Sequence, residues 1–283
     1  MFRLCRTVRF AINPNGLRGA GEDDAVRGPN GYAGVPSIRG LGAHYELDVT
    51  CRGPIDPVSG YLINIKDVDA SVRAHAIPHI ARAVVAGRGP VEPARLLGEI
   101  FGPVDAALRG CVASLRWRLS PYHSLEMAKD APTIVLVRQR FEFAASHRLH
   151  NPALSDDENR RLYGKCNHPS GHGHNYIVEL CVESEVGPSG ATGLSLAEIE
   201  RIAGERVIDR FDHKHLNIDV PEFGPSGLNP SVENIARVAY ELLAPAIAGA
   251  GGGAGGATGT AGRARLREVT VWETEKTGST YPG

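Results

Sequence analysis

Residues 171–182 read Gly171-His172-Gly173-His174-Asn175-Tyr176-Ile177-Val178-Glu179-Leu180-Cys181-Val182. The run from Asn175 alternates in the manner of a strand, and the pair His172 and His174 stands just before it. Side chains two apart on a strand point the same way, so the two imidazoles converge on one side. Gly173 between them adds no side chain to the opposite face. His147 ends another strand-like run, Thr133 to Ala144 and onward, and supplies a third nitrogen if the two strands pair. Three neutral imidazoles with an open fourth position suit a catalytic zinc ion, whereas a structural zinc more often recruits thiolates. A His-x-His pair beside a turn is also what two solvent-facing histidines produce.

The same alternation runs through the rest of the chain. Strands are expected at Phe2 to Ala11, Tyr45 to Thr50, Ser114 to Leu119 and Arg265 to Trp272. Helical periodicity covers Ile65 to Val84 and Glu92 to Leu108, each interrupted by a proline. It returns over Leu196 to Phe211 and over Ser231 to Leu243, where Ser231 is a suitable N-cap. Each half therefore reads strand, long loop, strand, helix, helix, strand, with a further strand expected in or just before the first helix. Two tracts are compositionally uncommitted: Asn13 to Arg39, rich in Gly, Asn and Pro, and Gly249 to Gly262, built only of Gly, Ala and Thr. Both are expected to be loops.

The halves also match in sequence. Arg9-Phe10-Ala11 resembles Glu142-Phe143-Ala144, and Gly40-Leu41-Gly42-Ala43-His44-Tyr45 lies over Gly171-His172-Gly173-His174-Asn175-Tyr176. Ile63 to Val68 lies over Leu194 to Ile199, and Leu115-Arg116 over Leu266-Arg267. An internal duplication is the expectation, with domains at 1–131 and 132–283 joined near Lys129 to Pro132. The positions matching His147, His172 and His174 are Pro14, Leu41 and Ala43. None of these binds zinc, so the first half is expected to be a scaffold and the whole chain to carry one zinc.

Composition narrows the classes. The 283 residues carry a formal net charge of -1, which argues against a nucleic-acid groove or an anionic membrane partner. No apolar run has the length of a signal peptide or a membrane span, so a cytoplasmic protein is expected. Five widely spaced cysteines do not form a disulfide framework. Four of them, Cys5, Cys51, Cys111 and Cys181, read as buried thiols. Cys166 differs, because it sits in the polar loop Gly164-Lys165-Cys166-Asn167-His168-Pro169-Ser170-Gly171.

Phe143 to Leu149, Leu154 to Asn159, and Tyr163 to Asn167 followed by Gly171 to Tyr176 resemble the 6-pyruvoyl-tetrahydropterin synthase and 6-carboxy-tetrahydropterin synthase family. Phe211 to Asn217, Ser231 to Ala236 and Val271 to Thr274 continue the resemblance in family order, over nearly all of residues 138–283. The first half resembles the same domain in outline only. The resemblance implies an α+β tunnelling fold in tandem, each domain a four-stranded antiparallel sheet with two helices on one face, in a homo-oligomer. It implies zinc on His147, His172 and His174, catalysis by Cys166 with Asp212 and His213, and pterin binding by Glu273 and Glu233. The implied reaction turns 7,8-dihydroneopterin triphosphate into 6-pyruvoyl-tetrahydropterin with loss of triphosphate. The six-residue step from Cys166 to His172 resembles the tetrahydrobiopterin-type enzyme; the carboxy enzyme of queuosine synthesis, or a pterin-binding protein without activity, are the alternatives. Val232, where a small hydroxyl residue is usual, and the Gly/Ala-rich insertion are the departures.

Overall fold

The computed structural model describes residues 1–13, 38, 41–86, 92–251 and 262–283. Pro14 and most of the two uncommitted tracts lie outside them. Two compact units emerge: Met1–Val137 with Glu185–Thr192, and Arg138–Ser184 with Gly193–Gly283.

In the first unit, β1 (Phe2–Ile12), β2 (Ala43–Gly53), β3 (Val112–Arg118) and β4 (His123–Ala128) pair antiparallel in that order. Their apolar alternation is one-sided. Val8, Phe10, Leu47, Val49, Leu115 and Trp117 are buried, and so are Val68, Val72, Ile80, Leu97, Ile100 and Val104 of the helices between β2 and β3. These helices are α1 (Ile65–Ser71), α2 (Ile77–Ala86) and α3 (Pro93–Ala107). The other parity of the strands is charged: Arg118 reaches Glu46 at 2.9 Å and Asp48 at 2.6 Å, and Arg9 reaches Glu46 at 2.9 Å.

The second unit uses β5 (Ala131–His147), which contributes Arg138–His147, then β6 (His172–Glu185), β8 (Ala264–Thr274) and β9 (Thr277–Tyr281), adjacent in that order. β6 with β8 and β8 with β9 are antiparallel. A two-residue strand, β7 (Lys214–His215), lies parallel to β5 at Ala145 and Ser146. Its helices are α4 (Asp156–Tyr163), α5 (Leu196–Ala203) and α6 (Val232–Gly251). Ser155 with Glu158 and Ser195 with Glu198 form reciprocal capping boxes that start α4 and α5. Phe143 stacks on Tyr176 at 4.9 Å, and Phe211 meets Phe143 edge-on at 5.6 Å, so one aromatic cluster lies under the end of the sheet that carries the histidines.

Several expectations change. The fourth strand of each half is not in or before the first helix; it is β4 or β9, a hairpin return after the third strand. The first long helix is interrupted, as expected, but just before Pro78 and not at it. A π-helical turn at Val72–Ala76 joins α1 to α2, Ile77 N donates to Val72 O, and Pro78 follows directly. Another π-turn, Gly204–Ile208, divides the helix expected from Leu196 to Phe211. Pro103 lies inside α3, which runs on to Ala107. α6 reaches Gly251, three residues into the Gly/Ala tract. His172 and His174 are the first and third residues of β6 itself.

Asparagines pin the segment that follows His147. Asn159, fully buried, accepts from Asn151 N at 2.8 Å and donates to the carbonyls of Asn151, Leu154 and Ser155. Asn217 accepts from Arg148 N at 2.7 Å and donates to Arg148 O at 3.0 Å. Asn159→Ala leaves those backbone groups without their partner, and a loss of about 2–3 kcal/mol is expected. Urea denaturation reads this as a lower midpoint at unchanged slope; an unchanged midpoint would show that water replaces the amide.

Candidate metal centre

Four side chains converge at one end of the second sheet. On β5, the buried parity that carries Phe143 and Ala145 ends on His147, whose side chain is 1% exposed. On β6 the parity of Tyr176 carries His174 and His172. Glu273 comes from β8, one residue beyond the pair Ile177 and Trp272. The four ligand atoms lie within 4.8 Å of one another. His147 Nε2 is 3.1 Å from His172 Nε2 and 3.2 Å from Glu273 Oε1. His174 Nε2 lies 2.7 Å from the same oxygen without a hydrogen bond between them.

The protons show why this cluster wants a cation. His147 Nδ1 is 2.7 Å from the carbonyl oxygen of Pro230, which only accepts, so Nδ1 carries the proton and Nε2 turns a lone pair inward. That lone pair faces a carboxylate oxygen and a second imidazole nitrogen. His172 Nδ1 and His174 Nε2 are buried without a hydrogen-bond partner among the described residues. Burial, and then the neighbouring histidines, hold His172 below the usual imidazole range; burial holds His174 down as well, against the pull of Glu273. The His147 ring holds the Glu273 carboxyl below its usual range. Neutral imidazoles beside a carboxylate are the form that ligates a metal. Tetrahedral bonds of about 2.0–2.1 Å separate ligand atoms by roughly 3.3 Å, close to the spacing seen here. The donor set fits a zinc-like divalent ion.

Glycine makes room for this. Gly171 has a φ of +71°, and a Cβ there would stand 2.8 Å from both His147 O and His215 Nε2. The left-handed turn before β6 therefore excludes ordinary side chains.

Cys166 lies outside the cluster, on the single turn Gly164–Asn167, as a free and half-buried thiol. Its carbonyl accepts from Leu149 N at 2.8 Å, and Asn167 Nδ2 donates to Leu149 O at 2.7 Å. The turn is thereby stitched to the strand end that carries His147. Arg148 Nε donates to Asn167 O at 3.1 Å, so its guanidinium is partly committed to the same loop.

Asp212 and His213 touch each other: Asp212 Oδ2 is 2.7 Å from His213 Nδ1. Asp212 Oδ1 accepts from Ala144 N at 2.8 Å, and His213 N donates to Ala144 O at 2.6 Å. The Ala144 amide, and then His213, hold the Asp212 carboxyl below its usual range. His213 has a φ of +55°, a costly left-handed conformation for a histidine, and an 84% exposed side chain. An open cavity of about 460 Å³ has both His213 and His174 in its wall, together with Ser146 and Lys214. Glu233 is exposed in the first turn of α6. Ser231 Oγ accepts from Asn234 N at 3.4 Å, which is the cap expected of it.

The structure thus brings together His147, His172, His174 and Glu273, and separately Asp212 with His213. It leaves Cys166 and Glu233 outside the ligand cluster. Sequence reasoning placed Glu273 on a pterin ring and missed its carboxylate among the histidines. It also missed the Pro230 carbonyl and the Tyr176 hydroxyl. Only the His-x-His-x-Tyr spacing carries a signal for Tyr176, since all three side chains share one strand face.

An α+β unit with three imidazoles and a carboxylate around one point, beside an open cavity, is a domain whose side chains could hold a metal ion. Residues 136–283 match the model of the 6-pyruvoyl tetrahydropterin synthase family, and the chain belongs to that family. The human 6-pyruvoyl tetrahydrobiopterin synthase is 43% identical over 107 residues, which cover 38% of this chain and 72% of that protein. The Dictyostelium discoideum synthase is 32% identical over 151 residues, covering 53% and 97%. The solved 6-pyruvoyl tetrahydropterin synthase of Caenorhabditis elegans is 34% identical, with 53% and 96% covered and a TM-score of 0.45.

Glu273→Gln separates two roles. Zinc content after dialysis is expected to equal that of the wild type, because three imidazoles remain to hold the ion. A loss of zinc affinity of about 10-fold or more would make the carboxylate part of the metal site.

Proposed function

We propose that the chain is a zinc-dependent synthase that converts 7,8-dihydroneopterin triphosphate to 6-pyruvoyl-tetrahydropterin and triphosphate. The observation that carries this reading is the convergence of His147, His172 and His174, with the His147 tautomer set by the Pro230 carbonyl. Family membership supports it. The six-residue step from Cys166 to His172 favours a pyruvoyl over a carboxy product. Zinc held by the three imidazoles supplies a Lewis acid for the side-chain hydroxyl oxygens. The residues of the chain do the rest. Cys166 as thiolate accepts a carbon-bound proton, on a turn fixed by the Asn167 amide. Asp212 orients His213, whose exposed ring exchanges the other proton. Glu273, with Glu233 near it, pairs with the amino and N–H edge of the pterin. The protons move within one substrate molecule, so no redox cofactor is required. The proposed setting is the cytoplasm; among the described residues, no helix is long and apolar enough to cross a membrane.

The proposed architecture is a tandem pair of tunnelling-fold domains, 1–131 and 132–283, assembled into a homo-oligomer. Fine irregularities support the duplication. The β2–β3 ladder shifts register between Thr50 and Cys51, and the β6–β8 ladder shifts between Cys181 and Val182. The displacement that carries Thr50 onto Cys181 also carries Ile65, the start of α1, onto Leu196, the start of α5. A π-turn follows both helices. The same displacement carries Leu41 and Ala43 onto His172 and His174. The ladders correct one correspondence: Ser114 faces Thr50 as Glu268 faces Cys181, so Leu115 corresponds to Val269 rather than to Leu266. Glu273 then corresponds to Leu119. With Leu41, Ala43 and Leu119 at the ligand positions, the first domain is a frame without metal chemistry.

Incubating the zinc-loaded protein with dihydroneopterin triphosphate is expected to release triphosphate and a 6-pyruvoyl product by mass analysis. A 6-carboxy product would overturn the reaction assignment. Cys166→Ala is expected to reduce turnover by about 10²–10⁴-fold with zinc retained; full activity would remove its role as base. Metal analysis is expected to give one zinc per chain, and two would contradict a ligand-free first domain.

A further inference from the structure

Among the described residues, Tyr176 is a large polar side chain buried directly against the histidine cluster. It follows His174 by two residues on β6, so it shares the face of His172 and His174. Its ring stacks on Phe143 at 4.9 Å with planes 13° apart, and stands edge-on to His174 at 5.6 Å and His147 at 6.1 Å. None of the residue is exposed. Its hydroxyl has no hydrogen-bond partner among the described residues. Both imidazoles that it meets belong to the cluster that the proposed reaction employs.

A buried hydroxyl left unpaired is unfavourable relative to a paired one. Phenylalanine would keep the stack on Phe143 without that cost. The adjacent sequence offers no structural reason for the oxygen, since the ring already fills the space between Phe143 and the two imidazoles. A phenol is a donor and acceptor whose proton stays on at neutral pH. Its missing partner is therefore most simply an oxygen that enters with a ligand. The ring contacts identify the place: beside His147 and His174, at the floor of the histidine cluster.

We infer that the Tyr176 hydroxyl donates a hydrogen bond to an oxygen of the bound substrate, the side-chain oxygen that gains negative charge as the adjacent carbon loses its proton. This rests on the proposed synthase reading. A preorganised donor at a site shielded from water stabilises developing charge more than it stabilises the ground state, so its main effect falls on kcat. The residue takes no proton and forms no bond. It acts on an oxygen, while Cys166 and the Asp212–His213 pair exchange the protons.

Tyr176→Phe tests the inference, measured on zinc-loaded protein. The kcat for dihydroneopterin triphosphate is expected to fall by about 10²-fold, with KM within about threefold. Binding of biopterin, a stable pterin with two side-chain hydroxyls, is expected to weaken by about 3–10-fold in calorimetry. The thermal midpoint of the ligand-free variant is expected to be unchanged or higher, because the substitution removes an unpaired group. Unchanged kcat and biopterin affinity would overturn the inference. So would a lowered midpoint together with activity lost only in proportion to folded protein, which would mark the hydroxyl as structural. If the wild type binds biopterin but does not turn over the triphosphate, the reaction assignment fails, and the biopterin comparison still decides the contact. A wild type that neither binds nor reacts removes both.

Discussion

The hydrogen bond from His147 Nδ1 to the Pro230 carbonyl determines how the centre is built. It selects one tautomer, aims one lone pair, and ties the end of β5 to the residue just before α6. The His147 lone pair then shares a space with a carboxylate oxygen and a second imidazole nitrogen, and His147 itself has almost no exposure to water. Like-charged or lone-pair groups at about 3 Å repel unless a proton or cation lies between them. Protonation is opposed here, because burial holds His172 and His174 below the usual imidazole range. A divalent ion satisfies the same geometry with no proton. The single carbonyl thus turns a group of polar side chains, individually costly to bury, into a ligand set.

The surrounding loop is held by side-chain amides instead of hydrophobic packing. Asn159, Asn167 and Asn217 each bridge backbone groups that regular structure leaves unpaired. An amide donates and accepts from one planar group, so a single asparagine closes a turn that an apolar residue leaves open. This explains how Cys166 is placed reproducibly on a short turn with little apolar burial of its own. It also explains the density of asparagine and glycine in the motifs that follow His147. Groups that act on a substrate need exposure, and exposure removes the hydrophobic contribution that fixes position elsewhere.

Much of this was readable from residue order. Alternation located six of the strands, because their buried parity is apolar. The His-x-His spacing placed two imidazoles on one face before any strand pairing was known. What escaped has physical causes. Thr277–Tyr281 forms β9 at a sheet edge with no aliphatic residue, so periodicity offers nothing to detect. The π-turns keep an apolar face nearly in phase, and a helical pattern runs through them unbroken. Glu273 joins the histidines through the register between β6 and β8, which a one-residue slip would reverse. The left-handed backbone of His213 follows from two hydrogen bonds to Ala144, a partner almost 70 positions away. The Tyr176 hydroxyl is marked by a missing partner, and composition cannot display a missing partner.

The two units separate what a frame requires from what chemistry requires. On the proposed duplication, both copies keep a β-bulge in the second strand and a π-turn after the helix that follows that strand, α1 or α5, although each irregularity costs regular hydrogen bonds. In the second unit the bulge lies on the strand that carries His172 and His174, and the π-turn lies on a helix that carries no ligand, so neither feature supplies a ligand atom. They are explained by packing: the bulge changes the strand's twist and side-chain phase, and the π-turn lets one helix cover both phases. The ligand positions behave in the opposite way. On that correspondence Leu41, which is 92% exposed, Ala43 and Leu119 stand where the second unit has His172, His174 and Glu273, and none of them offers a ligand atom. The imidazoles and the carboxylate are gathered at one end of the second sheet, where the Pro230 carbonyl fixes the His147 ring.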